Sequence, residues 1–209
     1  MIRSEIIEYV EEQILPLYTA FDRAHNIDHA QTVIEESATL AANYEVNHEM
    51  VYIIAAFHDL GLCEGRERHH IVSAEILLAD KFIANIFDVS QRQTMSEAIE
   101  DHRASAAREP RSIYGRIVAE ADRIISTKVT LRRTVQYGLK QNPTATPDEH
   151  FERFDSHLQA KYAEGGYLKL YISESGNAER LRELRAVINN KKELRDRFDQ
   201  ILKSELMSL

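Results

Sequence analysis

At six positions the apolar stripe of an expected helix is occupied by a residue that a protein interior ordinarily refuses: His29, His58, Asp59, His69, His102 and Asp122. Residues three or four apart share one face of a helix. Between Asn47 and Leu60 that rule groups Val51, Ile54 and Ala55 with His58, and sets Asp59 beside Tyr52, Ala55 and Ala56. Met95, Ala98, Ile99 and His102 repeat the pattern, as do His69, Val72, Ser73 and Ile76, while Asp122 lies between Val118 and Ile125. His29 opens a further helix after Asp28, which with Gln31 reads as a capping pair, and Val33 follows one turn later. A bare carboxylate among apolar neighbours is costly. Imidazoles and carboxylates converging in a core are tolerated when a cation joins them, and divalent Mn, Fe, Co, Ni and Zn accept this ligand mixture. The expectation is an all-α bundle built around a metal centre.

Helical periodicity continues from end to end. Segments near Ser4–Leu15 (ending before Pro16), Asp28–Tyr44, Asn47–Leu60 (closed by Gly61), His69–Phe82, Ser90–His102 and Ser112–Lys128 are the expected core helices. The composition shifts between Gly138 and Glu149, where Asn142, Pro143, Thr144, Thr146 and Pro147 read as a loop. This divides the chain into a helical core over 1–137 and a mostly helical C-terminal extension over 138–209. Within the extension, Asp148–Tyr162 reads as helix, Gly165-Gly166 as a break and Tyr167–Ile172 as a strand or an extended segment. A charged helix follows from Asn177, bending near Asn189-Asn190. Its stripe of Leu181, Leu184, Val187, Ile188, Leu194, Phe198, Ile201 and Leu202 is expected to pack within the chain, with a homodimer as the other candidate use. The aromatic-rich segment Asp148–Ile172 is a candidate substrate cap.

A length of 209 residues with 44% hydrophobic content suits a globular fold. The formal charge of −8 argues against general nucleic-acid or anionic-membrane binding, which both need a surplus of Lys and Arg. Cys63 is the single cysteine, so no intramolecular disulfide forms. The sequence opens without the basic and apolar segments of a signal peptide, and the apolar stretch Val51–Leu62, broken by His58 and Asp59, falls short of the about 20 residues a bilayer requires. A cytoplasmic location is expected.

Three blocks carry a family resemblance: His25-Asn26-Ile27-Asp28-His29, then Ala55-Ala56-Phe57-His58-Asp59-Leu60-Gly61, then Ala121-Asp122-Arg123-Ile124. In that order they resemble the HD superfamily of metal-dependent phosphohydrolases, over about Phe21 to Ile125. The resemblance implies an all-α HD-domain helical bundle in which His29, His58, Asp59 and Asp122 are metal ligands, with His58 and Asp59 the catalytic pair. His69 and His102 resemble the two additional histidines of the two-metal branch, which implies a dinuclear site with Asp59 bridging. Thr32-Val33 stands where family members often carry Arg-Val, and Leu62-Cys63 where the guanosine tetraphosphate hydrolases carry Glu-Asp. That subfamily is not indicated.

The implied cofactor is a divalent metal, one or two ions of Mn, Fe, Mg, Co, Ni or Zn. Two such ions with four neutral histidines and two aspartates leave a site charge of about +2 by formal counting, which suits a phosphate. The implied activity is hydrolysis of a phosphoester in a small phosphorylated substrate, a nucleotide being the family-level expectation. The same six ligands occur in an HD branch of di-iron oxygenases acting on organophosphonate-like substrates. A non-catalytic ligand-sensing module, with the metal only bracing the bundle, is the third reading. His25 is a candidate substrate-facing group, His70 a solvent-facing neighbour of His69, and Arg66, Arg68, Arg103, Arg108 and Arg123 are read as solvated charges near the site.

Overall fold

Helices carry all the regular structure in the computed structural model, which describes residues 2–21, 25–106 and 108–207; among the described residues there is no strand. The chain divides into two compact units, Met1–Arg123 and Ile124–Leu209.

The first unit opens with α1 (Ser4–Tyr9), continued by a wide π turn at Val10–Ile14 and a tight 3-10 turn at Leu15–Ala20. Pro16 does not stop the chain as the sequence suggests, because it lies in the first turn of the 3-10 segment, where its missing N–H has no partner to lose. Ile6, Val10, Ile14 and Tyr18, four residues apart, are all buried. The next helix, α2 (Ile27–Ala41), is capped by Asn26, whose side chain accepts the His29 N–H; Asp28 falls in the first turn and is not the cap. Asn47 caps α3 (His48–Phe57), and seven of its ten residues are buried. Such all-round burial marks the centre of a bundle. Accordingly α3 packs against α2, α4 (His69–Ala79), α6 (Val89–Asp101) and α7 (Ile113–Asp122). The expected helix His69–Phe82 is two helices, since the Asp80 side chain accepts the Ile83 N–H at 2.9 Å and starts α5 (Lys81–Ile86).

Gly61 does not cap α3, which ends earlier at Phe57. It lies in the 3-10 turn Leu60–Glu64, where a Cβ would stand 2.1 Å from the His69 carbonyl oxygen and 2.5 Å from the Ser73 nitrogen. Only glycine lets α4 approach the turn this closely, and the Gly61 N–H donates to the Ser73 hydroxyl at 2.8 Å.

The second unit holds α8 (Thr127–Gln141), α9 (Pro147–Tyr162), α10 (Asn177–Asn189) and α11 (Lys191–Leu206), each packed on the others. The division between units thus falls before α8 and not at Gly138, which lies inside that helix. Gly138 serves close packing: a Cβ there would meet the Arg153 guanidinium at 2.6 Å. The run expected as one helix to Lys128 breaks after Asp122 and restarts at Thr127. Tyr167–Ile172 is extended, with the Tyr167 and Leu168 N–H groups donating to carbonyls at the end of α9. The expected bend at Asn189-Asn190 is a full break, capped by the Asn190 side chain. Seven of the eight stripe residues named above are buried, with Ile201 partly so, in a core that includes Phe154 and Phe198 with ring centres 5.1 Å apart. Among the described residues no helix is long and apolar enough to cross a membrane.

Candidate metal centre

Three helices of the first unit finish at one place: His58 is the residue on which α3 ends, His102 the one on which α6 ends, and Asp122 the last residue of α7. Helix C-termini carry partial negative charge and favour a cation. His29 joins from the first turn of α2, and His69 from the start of α4.

All six residues singled out in the sequence come together. The ligand-type atoms of five of them form two groups that share Asp59, His29 with His58 and Asp59, and Asp59 with His69 and His102, and within each group the atoms lie within 4.8 Å of one another. Asp59 Oδ2 is 3.3 Å from His58 Nε2 and 3.7 Å from His29 Nε2. Asp122 Oδ1 closes that side, 3.2 Å from His29 Nε2 and 3.9 Å from His58 Nε2. Asp59 Oδ1 faces the other way, 3.6 Å from His69 Nε2 and 3.5 Å from His102 Nε2. His58, His102 and Asp59 are buried, while His69 and Asp122 are partly exposed.

The hydrogen bonds on the outer ring nitrogens determine what the inner ones offer. His58 Nδ1 donates to the Ala55 carbonyl at 2.7 Å, His102 Nδ1 to Ile99 at 2.6 Å and His69 Nδ1 to Arg66 at 2.8 Å. A carbonyl only accepts, so each Nδ1 carries the hydrogen and each neutral ring turns a bare Nε2 lone pair inward. One pair of them meets head-on, His69 and His102 Nε2 being 3.2 Å apart, and His58 Nε2 lies 3.3 Å from His29 Nε2. With two carboxylates added, acceptors face acceptors, an arrangement that calls for a cation. Donor types and spacing fit a divalent ion of the first transition row in each group.

The titration behaviour agrees. Burial pushes the His58 imidazolium down, but the Asp59 and Asp122 carboxylates outweigh it and raise His58 to about 9. Burial works to raise Asp59, yet His58 and His102 hold its carboxyl well below the ordinary range; Asp122 is likewise lowered, by His29 and His58 against its own burial. In the metal-free protein a proton supplies part of the missing positive charge. His69 is lowered, by burial and then by the adjoining His102.

Around this centre, His25 packs edge-on to His29 with centroids 5.8 Å apart, and its Nδ1 lies 3.3 Å from Arg66 Nη2. His70 is not the solvent-facing neighbour expected: it is partly buried, its Nδ1 has no hydrogen-bond partner, and burial, then Arg103, push it down to about 4. The arginines separate by what they bind. Arg108 and Arg111 pair with Glu100 and Asp101, Arg68 approaches Glu75, and buried Arg123 donates to the Ala119 carbonyl. Arg103 is anchored by neutral groups, the Glu67 carbonyl and the Ser105 hydroxyl. Sequence reasoning missed Tyr18, whose hydroxyl touches the backbone that presents Asp59. The spacing Ile6, Val10, Ile14, Tyr18 was the available signal.

Residues 26–126 match the family model described as the HD domain. The comparisons with curated proteins and with solved structures gave no match.

Proposed function

The chain belongs to the HD family through residues 26–126, and on that premise we propose that it is a divalent-metal-dependent phosphohydrolase acting on a small phosphorylated molecule, with a nucleotide as the first candidate. One observation carries the reading: three histidines whose Nδ1 hydrogens are tied to carbonyls direct bare Nε2 atoms at a site where a single carboxylate faces both ways. His29, His58, Asp59 and Asp122 would hold one ion, and Asp59, His69 and His102 a second. Ions so held supply Lewis acidity, lowering the pKa of a water and screening the charge on phosphoryl oxygens.

The chain's own groups do the positioning. Asp59 joins the two halves through separate oxygens, and the backbone locks on His58, His69 and His102 hold the rings in place. Arg103, beside His69 and His70 and held by the Glu67 carbonyl and the Ser105 hydroxyl, both neutral groups, is the arginine best suited to contact a substrate phosphate. It was read as solvated from the sequence.

The test is phosphate release from a panel of nucleotides and simple phosphoesters with Mn²⁺, Mg²⁺ or Co²⁺, wild type beside Asp59→Ala, with circular dichroism to check helicity. Metal-dependent release by wild type alone is the expected result. Equal release by the variant, or none by either protein across the panel, rejects the proposal; in the second case, iron retained after anaerobic purification would point to oxygen chemistry at the same residues.

A further inference from the structure

We infer that Tyr18 is a positioning residue for the metal centre, holding the Asp59 backbone through its hydroxyl; the inference rests on the metal-centre reading above. The side chain comes from the 3-10 turn Leu15–Ala20, outside the 26–126 match to the family model. That turn packs against α2 and against the turn Leu60–Glu64, the two segments flanking the buried carboxylate.

The need for Tyr18 arises from how α3 ends. Continuing the helix would pair the Asp59 N–H with the Ala55 carbonyl, but the His58 ring nitrogen takes that carbonyl at 2.7 Å. Asp59 turns out of the helix at φ −111°, ψ 4°, which aims its two oxygens at two different groups of histidines. The turn leaves the Asp59 N–H and the Ala56 carbonyl in a buried region, where unpaired backbone groups are costly. One phenol oxygen serves both. It donates to the Ala56 oxygen at 2.9 Å and accepts the Asp59 N–H at 3.3 Å. Tyr18 has no exposed surface, and its ring lies 6.4 Å from that of His58 and edge-on to Phe21 at 5.5 Å. A group that is at once donor, acceptor and rigid spacer thereby fixes the departure angle of Asp59. Phenylalanine keeps the spacer and removes the other two properties.

The experiment is a Co²⁺ titration of the full chain, followed by visible absorption, for wild type, Tyr18→Phe, Asp59→Ala and the core variant Ile83→Val. Ile83 is fully buried between α5 and its neighbours and lends a packing loss remote from the metal ligands in sequence. Groups that orient metal ligands typically change affinity by about 10- to 100-fold when lost. Tyr18→Phe is expected to weaken Co²⁺ binding by a factor in that range and to alter the Co²⁺ absorption bands, while Ile83→Val lowers the melting temperature and leaves both unchanged. Wild-type affinity and spectrum in Tyr18→Phe, or failure of that variant to fold, would make Tyr18 purely structural and overturn the inference. If Asp59→Ala also binds Co²⁺ as wild type does, the metal-centre reading itself fails; loss in Asp59→Ala alone rejects only the role of Tyr18.

Discussion

Replacing Asp59 with asparagine removes one charge and one acceptor with almost no change of shape, so its consequences are calculable for the metal-free protein. In the wild type, burial disfavours the His58 imidazolium, but Asp59 at 3.3 Å, with Asp122, raises it from 6.5 to about 9. At about 1.4 kcal/mol per pH unit, that shift corresponds to roughly 3 kcal/mol of folding stability. The sign follows from the raised value: the contribution is complete below the unfolded value near 6.5 and disappears as pH rises toward about 9. Below about pH 7.5 the depressed His69 and His70 work in the opposite sense, so the window that isolates His58 is about pH 7.5 to 9.5, over which wild type, after chelation with EDTA, should lose roughly 2 kcal/mol in urea unfolding. Asp59→Asn, which deletes the largest source of the upward shift, should lose less than half of that. Parallel pH curves for the two proteins would refute the claim that Asp59 holds the His58 proton. Nearly flat curves for both would refute the raised value itself.

The two halves of the centre also differ. Removing His102 should cut bound Mn²⁺ or Co²⁺ from two ions per chain to one, measured by elemental analysis after gel filtration, because His29, His58, Asp59 and Asp122 remain; retention of two ions would show that His102 is not a ligand. Gly61→Ala forces a Cβ against the His69 carbonyl and the Ser73 nitrogen. It should destabilise the protein by about 3 kcal/mol in urea unfolding and lower affinity for the ion on the His69 side; a loss under about 0.5 kcal/mol would mean that α4 moves freely from the turn.

Much of the centre was legible because helical spacing reports faces: His58 beside Ile54 and Ala55, His102 beside Ala98 and Ile99, and the order of blocks that resembles the HD family. Element boundaries were less legible where apolar spacing ran through a break. Asp80 ends α4 and caps α5 without interrupting the periodic pattern, and the run around Asp122 continues apolar past the point where the helix stops. Gly138 read as part of a linker because the sequence does not reveal the Arg153 side chain lying over it. Asn26, not Asp28, capped α2, a two-residue ambiguity typical of polar-rich helix starts. Tyr18 was hidden by Pro16, which as a helix breaker seemed to end the stripe that in fact carries on to it.

The three histidine locks share one local geometry: the ring of His58, His69 or His102 reaches the carbonyl three residues earlier in its own chain segment. Contacts of so short a sequence separation do not depend on where distant parts of the chain lie. The nitrogen on which a neutral imidazole keeps its proton is thus set inside a single turn, by a partner that travels with the ring. A ligand set built this way tolerates changes in the surrounding bundle, since moving a helix carries the histidine, its orientation and its tautomer along as one piece.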